Sequence, residues 1–371
     1  MSGKSLDKDR ARQIRDFLLT PLAFLYGTGV WIRNKLFDND FILKQREFDV
    51  PVICVGNIAV GGTGKTPHVE YLIEHLLGEY TIGVLSRGYK RKSKGFVLAS
   101  EGLSSHELGD EPYQIYRKFR RNITLAVCES RTKGIEEMLK INPRISLIIL
   151  DDAFQHRYVK PKVCVLLCDY NHPPYDDHLM PLGTLREHFM NRLRAHAVVM
   201  TKCPHDIKKI EFRACKNGMA LFPSQGLFFS MLNYLAPKPV FPSDKTTLAS
   251  LSELSDSDAV LTITGIAQPM NLVKYINTFK PKPRVLHFDD HHNFTRDDMQ
   301  FIARQFDELK GSNKYILTTE KDAARIVNNP YFPPRLCHLI YYIPIKVEFT
   351  SYEGEDFMDF IRKAIVRKSL I

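Results

Sequence analysis

Lys65 and Thr66 close a glycine-rich run that begins at Ala59 and continues through Val60, Gly61, Gly62, Thr63 and Gly64. Those residue types at that spacing can bind polyphosphate. Glycines let successive backbone N–H groups face one concavity, the ammonium reaches the β- and γ-phosphates, and the threonine hydroxyl ligates Mg²⁺. The run departs from the usual pattern at Ala59, where the first glycine would stand. A glycine turn opening an ordinary helix is the blander reading. Context favours an ATP site: a β-branched apolar run at 52–55 precedes the loop, and Val69, Leu72, Ile73 and Leu76 follow at helical spacing.

Asp151 and Asp152 end the most hydrophobic short run of the chain, 145–150, which reads as a central parallel strand. A carboxylate there, beside a phosphate loop, is what Mg²⁺ coordination requires; elsewhere it would be a turn or a helix cap. Arg87 and Tyr89 follow the strand predicted at 81–85 and lead into the basic stretch 90–94, a solvated loop or a holder of anionic groups. Asp110, with Glu111 and Pro112, opens a helical pattern as its expected N-cap. The cluster Asp289-Asp290-His291-His292 invites a metal, yet neighbours on extended backbone point apart. One histidine oriented by one aspartate suits proton transfer better.

The elements that must position these residues alternate. Strands are expected at 52–55, 81–85, 122–127, 145–150, 163–167 and 197–201, with helices near 131–140 and after the loop. Short loops between alternating elements imply a parallel α/β sheet, and ligands then sit outside the carboxyl ends of its strands. The polar clusters of the first half fall at those ends. Gly, Pro, Phe and Ser concentrate in 217–244, where a linker is expected. Strands at 260–264, 285–288 and 314–318 then read as a second α/β unit, closed by an amphipathic helix around Phe357, Phe360, Ile361 and Ile365. The resulting division is an N-terminal helix region 1–40, a phosphate-loop domain 41–220, a linker 221–245 and a smaller α/β domain 246–371.

With 371 residues and 44% hydrophobic content the chain can bury two cores. Its net charge of +10 suits phosphorylated ligands or an anionic membrane surface, and no nucleic-acid-binding motif accompanies it. Seven cysteines without a C-x-x-C pair, four of them in strand-like runs, read as reduced, buried thiols. Residues 17–32 carry no charge, follow Arg10, Arg12 and Arg15, and are interrupted by Pro21, Gly27 and Gly29. That is short of the roughly 20 residues a bilayer requires. Two readings stay open: an interfacial helix with Tyr26 and Trp31 as anchors, and a helix packed on the core.

The motifs VGNIAVGGTGKTP, LSRGY, GDEP, DDAFQHR, PLGTLRE, TGIAQP, FDDHHNF and TTEKDA occur in an order that resembles the tetraacyldisaccharide 4'-kinases of lipid A biosynthesis, over nearly the whole chain. The resemblance implies transfer of the ATP γ-phosphate to the 4'-hydroxyl of an acylated glucosamine disaccharide 1-phosphate, giving lipid IVA at the cytoplasmic face of the inner membrane. It implies a P-loop parallel-sheet sandwich domain, a second, smaller α/β domain, and an active site in the cleft between them. By motif, Asp110 and His291 correspond to an Asp–His pair that activates the sugar hydroxyl. Asp151 and Asp152 correspond to the Mg²⁺-associated pair, and Arg186 to a phosphate-contacting arginine. Arg87, Tyr89, Glu111 and His156 fall in matching active-site motifs, and Ala153 replaces a common glycine. The competing class is a membrane-associated switch ATPase, which carries a lysine where this chain has Val60. A guanine-reading motif is lacking at Thr201-Lys202-Cys203-Pro204.

Overall fold

The computed structural model describes residues 3–39, 42–241, 248–266, 269–280, 282–290, 292–350 and 356–367, with side chains from residue 15 onward. The chain divides into two compact units that are not contiguous in sequence. The first comprises Met1–Ser86, Ser130–Met231 and Glu348–Ile371; the second comprises Arg87–Glu129 and Leu232–Val347. Sequence order had suggested contiguous domains. The excursion 87–129 and the return of the C-terminal helix have no compositional marker, so patterning alone could not place them.

The first unit is built on parallel strands in the order Gly226–Tyr234, Ala197–Thr201, Val163–Asp169, Val52–Gly56, Leu147–Asp151 and Ile82–Ser86. The central four are buried almost throughout, as expected for apolar strands covered on both faces. In register, Val55 lies opposite Asp151, so the phosphate-loop strand and the acidic strand end together. A nine-residue strand, Gly226–Tyr234, occupies the stretch read as linker. Its Leu-Phe-Phe-Ser-Met core was masked by the flanking Gly and Pro. The C-terminal helix Phe357–Val366 belongs to this unit, not to the second. Phe357 stacks on Phe349 at 4.2 Å and meets Phe228 at 5.1 Å, and Arg362 pairs with Glu79.

One helix, Gly3–Asp38, runs unbroken through Pro21 and both glycines. Phe17/Leu18, Phe24/Leu25 and Trp31/Ile32 repeat every seven residues and are exposed, Phe17 at 79% and Trp31 at 60%. The opposite side is docked. Tyr26 donates its hydroxyl to Arg186 O (2.8 Å), Arg33 donates to Gln155 O (2.8 Å), and Asn34 donates to Glu187. The docked side fits the packed-helix reading, with Tyr26 as a docking residue rather than an anchor, while the other side leaves an apolar stripe exposed. Among the described residues no helix is long and apolar enough to cross a membrane.

The second unit contains parallel strands in the order Arg284–His287, Ala259–Thr264, Lys314–Thr319 and Ile340–Ile343, with Lys238–Pro239 antiparallel at one edge. The helix Asp110–Phe119 packs on the helix Glu320–Ile326 through Leu108, Tyr113, Val127 and Ala324.

Candidate active site

The phosphate loop leaves its strand at Gly56. A Cβ at that position would lie 2.7 Å from Phe154 Cβ, so glycine permits the close approach of the DDAFQHR turn. Within the loop, positive φ falls at Gly61 (118°) and Gly64 (80°). Ala59 lies outside the left-handed region and costs no strain, which is how the chain dispenses with the first glycine. The loop is laced to the 184–186 segment by Val60 N–H to Thr184 O (2.8 Å) and Arg186 N–H to Ile58 O (2.7 Å). Gln155 donates to Asn57 O (2.7 Å) from the other side.

The helix Lys65–Leu76 follows, with Gly64 as an N-cap that offers no side-chain bond. The first N–H groups of a helix have no intrahelical partner, and a glycine cap leaves them for an anion. His68 braces this turn: Nδ1 lies 2.7 Å from Gly64 O and Nε2 lies 2.9 Å from Ser230 Oγ. A carbonyl only accepts, so Nδ1 carries the proton and Nε2 accepts from the serine. Burial pushes the His68 imidazole down to about 4, with the Gly64 hydrogen bond opposing, so it is neutral here.

Around the loop stand the predicted charges. Lys65 Nζ is 3.7 Å from Asp152 Oδ1, and Arg186 Nη1 is 3.8 Å from Asp152 Oδ2. Asp152 has φ 46°, a left-handed conformation uncommon outside glycine, which turns the chain sharply off the strand end. Asp151 is buried and accepts from Ser86 Oγ at 3.1 Å. Thr66 is buried as well. The structure thus gathers Lys65, Thr66, Asp151, Asp152 and Arg186 in one unit. His156 has a different post. Its Nε2 accepts the Arg131 N–H (3.1 Å) at the start of the helix Arg131–Ile141. It also lines a cavity of about 600 Å³ with Cys54, Phe154 and Arg194, a cavity that includes no phosphate-loop residue.

In the second unit, Asp110 is the first residue of its helix and Gly109 is the cap, which corrects the expected N-cap role. The Asp110 carboxylate instead meets Arg325, whose Nε and Nη2 lie 3.0 and 2.7 Å from Oδ2. Glu111 lies 3.5 Å from Lys321 Nζ, and Lys321 lies 3.6 Å from Asp290. His292 bonds Asp298 at 2.9 Å, so neighbours in the DDHH cluster face different partners. His291 lies outside the described residues, and the Asp110–His291 pair therefore has no geometry here. Tyr89 is exposed with Lys90 over its ring at 5.7 Å, and Arg87 is exposed. Sequence reasoning missed Arg325 and Lys321. Lys321 lies within the TTEKDA motif already singled out, whereas Arg325 stands two residues beyond it, where no sequence signal marked it.

A profile of the family described as tetraacyldisaccharide-1-P 4'-kinase (LpxK) matches residues 15–366. A tetraacyldisaccharide 4'-kinase of Bacteroides thetaiotaomicron is 46% identical over 346 residues, covering 91% of this chain and 90% of that protein. One of Phocaeicola vulgatus is 46% identical over 351 residues, covering 93% and 95%. The fold is similar to that of LpxK from Aquifex aeolicus, crystallised in complex with ATP, with a TM-score of 0.71 and 27% identity over 94% of this chain and 99% of that one.

Proposed function

We infer that this chain, which belongs to the tetraacyldisaccharide-1-P 4'-kinase family, transfers the γ-phosphate of ATP to the 4'-hydroxyl of a tetraacyldisaccharide 1-phosphate, forming lipid IVA. The observation that carries the reading is the convergence of Lys65 and Arg186 on Asp152 beside a glycine-capped helix start. Phosphoryl transfer passes through a loose transition state and depends mainly on positioned phosphates and cations. Backbone N–H groups of the loop and Lys65 would hold the β- and γ-phosphates. Arg186 would meet charge developing on the transferred group.

The donor set fits Mg²⁺: the Thr66 hydroxyl and the Asp151 and Asp152 carboxylates are hard oxygen ligands. Asp152 Oδ1 is buried without a hydrogen-bond partner among the described residues. Those residues include no cluster of three or more His, Cys, Asp or Glu that could cage a metal. Mg²⁺ would be held by one or two of these carboxylates together with phosphate oxygens. Mg²⁺, when bound, neutralises charge on the polyphosphate.

Asp110 and His291 would activate the acceptor hydroxyl. Supporting this, Lys321 bridges Glu111, the neighbour of Asp110, and Asp290, the neighbour of His291. The exposed apolar face of the N-terminal helix would rest on the cytoplasmic face of the inner membrane, where the acylated acceptor resides. Incubating the full chain with labelled ATP and tetraacyldisaccharide 1-phosphate, then weighing the product by mass spectrometry, tests the reading. An acceptor-dependent gain of one phosphate is expected. Release of phosphate without a phosphorylated lipid would favour the switch ATPase instead.

A further inference from the structure

Arg325 sits on a short helix whose buried residues include Ala323, Ala324 and Ile326, and its own side chain is only 6% exposed. A guanidinium in such a place is costly unless its donors are met. Here they are met in two directions. Nη1 donates to Asp322 Oδ1 (2.7 Å) and to Gly265 O (3.0 Å), while Nε and Nη2 converge on Asp110 Oδ2. Asp322 is fully buried and held in turn. Its Oδ2 accepts from Gly265 N–H at 2.9 Å and from Thr319 Oγ at 2.7 Å.

The result is a chain of fixed groups, Thr319–Asp322–Arg325–Asp110, anchored on the ends of the strands Ala259–Thr264 and Lys314–Thr319. Exposure rises along it, from 0% at Asp322 to 6% at Arg325 and 19% at Asp110. A buried ionic chain contributes little to stability compared with apolar residues of the same volume. One that opens to solvent at a single carboxylate is better explained by what that carboxylate does.

We propose that Arg325 is a positioning residue for the phosphoryl transfer, fixing the Asp110 carboxylate through two hydrogen bonds while Asp322 and Gly265 hold the guanidinium. The proposal rests on the reading of Asp110 given above. Lysine at this position would keep the charge but lose the planar fork that reaches three acceptors at once.

The test compares Arg325→Ala, Arg325→Lys, Asp110→Asn and the double variant Arg325→Ala/Asp110→Asn in the full chain, using ATP and tetraacyldisaccharide 1-phosphate in detergent micelles. Arg325→Ala should lower kcat by about 10–100-fold with KM for ATP changed less than about twofold, and Arg325→Lys should recover part of that loss. In the Asp110→Asn background, Arg325→Ala should cost less than about threefold more, because both changes disable one unit. Wild-type kcat in a folded Arg325→Ala variant would overturn the proposal, as would a fully multiplicative double variant or a loss confined to KM for ATP. If Arg325→Ala does not fold, Arg325→Lys decides. Wild-type kcat for it overturns the idea, whereas a deficit that vanishes in the Asp110→Asn background supports it. Asp110→Asn with full activity would overturn the role of Asp110 itself. An impaired Asp110→Asn beside unimpaired Arg325 variants would overturn this proposal alone.

Discussion

Asp152 and Asp110 are both carboxylates near the start of a turn or helix, and the protein treats them in opposite ways. Asp152 has two cations at 3.7 and 3.8 Å, beyond hydrogen-bond range, and about a third of its side chain is exposed. Asp110 has one guanidinium at 2.7 Å, itself clamped by a fully buried aspartate. On the proposed reading, the first arrangement leaves the donors of Lys65 and Arg186 for phosphate oxygens and the carboxylate's lone pairs for a cation. The second uses the protein's own groups to immobilise a side chain. A site for exchangeable ligands keeps its charges apart, whereas a group that must stay put is bonded at full strength.

The contrast breaks most visibly at Asp110. Asp110→Asn should lower kcat by about 10²–10⁴-fold with ATP affinity retained, and His291→Ala should do likewise. Their combination should fall well short of the product, and multiplicative losses in steady-state kinetics would separate the two residues. Lys65→Ala should cost on the order of 10²–10³-fold in kcat/KM for ATP. An unchanged value in a folded variant would remove Lys65 from the phosphate site.

A third prediction concerns the brace under the loop. His68 is about 4 in the fold, against about 6.5 when unfolded. The unfolded chain therefore binds the extra proton first. The stability from keeping this ring neutral is complete above about pH 6.5 and is lost as pH falls toward 4, a change of about 3 kcal/mol at most. A thermal melt of His68→Gln should lose much of this slope; an identical pH dependence would show that other groups set it. Smallest is Tyr26→Phe, which deletes one hydrogen bond to Arg186 O. It should cost about 1 kcal/mol in the melt and a few-fold in turnover.

Local patterns were legible and long-range bookkeeping was not. The loop, its strand and its helix could be read because glycine spacing and 3.6-residue periodicity are local properties. Asp151 and Asp152 could be read because strand order puts parallel strand ends together. The strand Gly226–Tyr234 was hidden because Gly and Pro at its borders dominate composition across the stretch. The assignment of Asp110 to the second unit was hidden because it depends on Leu108 and Tyr113 meeting Ala324, some two hundred residues away. Arg325 was invisible for the same reason. Its role lies in a partner, and one sequence does not pair residues.

The N-terminal helix grips Arg186 and Gln155, the two residues whose backbone and side chain flank the phosphate loop. A helix proposed as an anchor that also serves as a bracket cannot be cut away to study attachment alone. On the proposed reading, a truncated chain would lose both its contact with lipid and the alignment of its nucleotide loop, so reduced turnover after truncation would have two sources. Evolution faces the same bind. On that reading, drift on the outer face of this helix answers to the bilayer and drift on the inner face to turnover, and seven-residue spacing keeps the two apart.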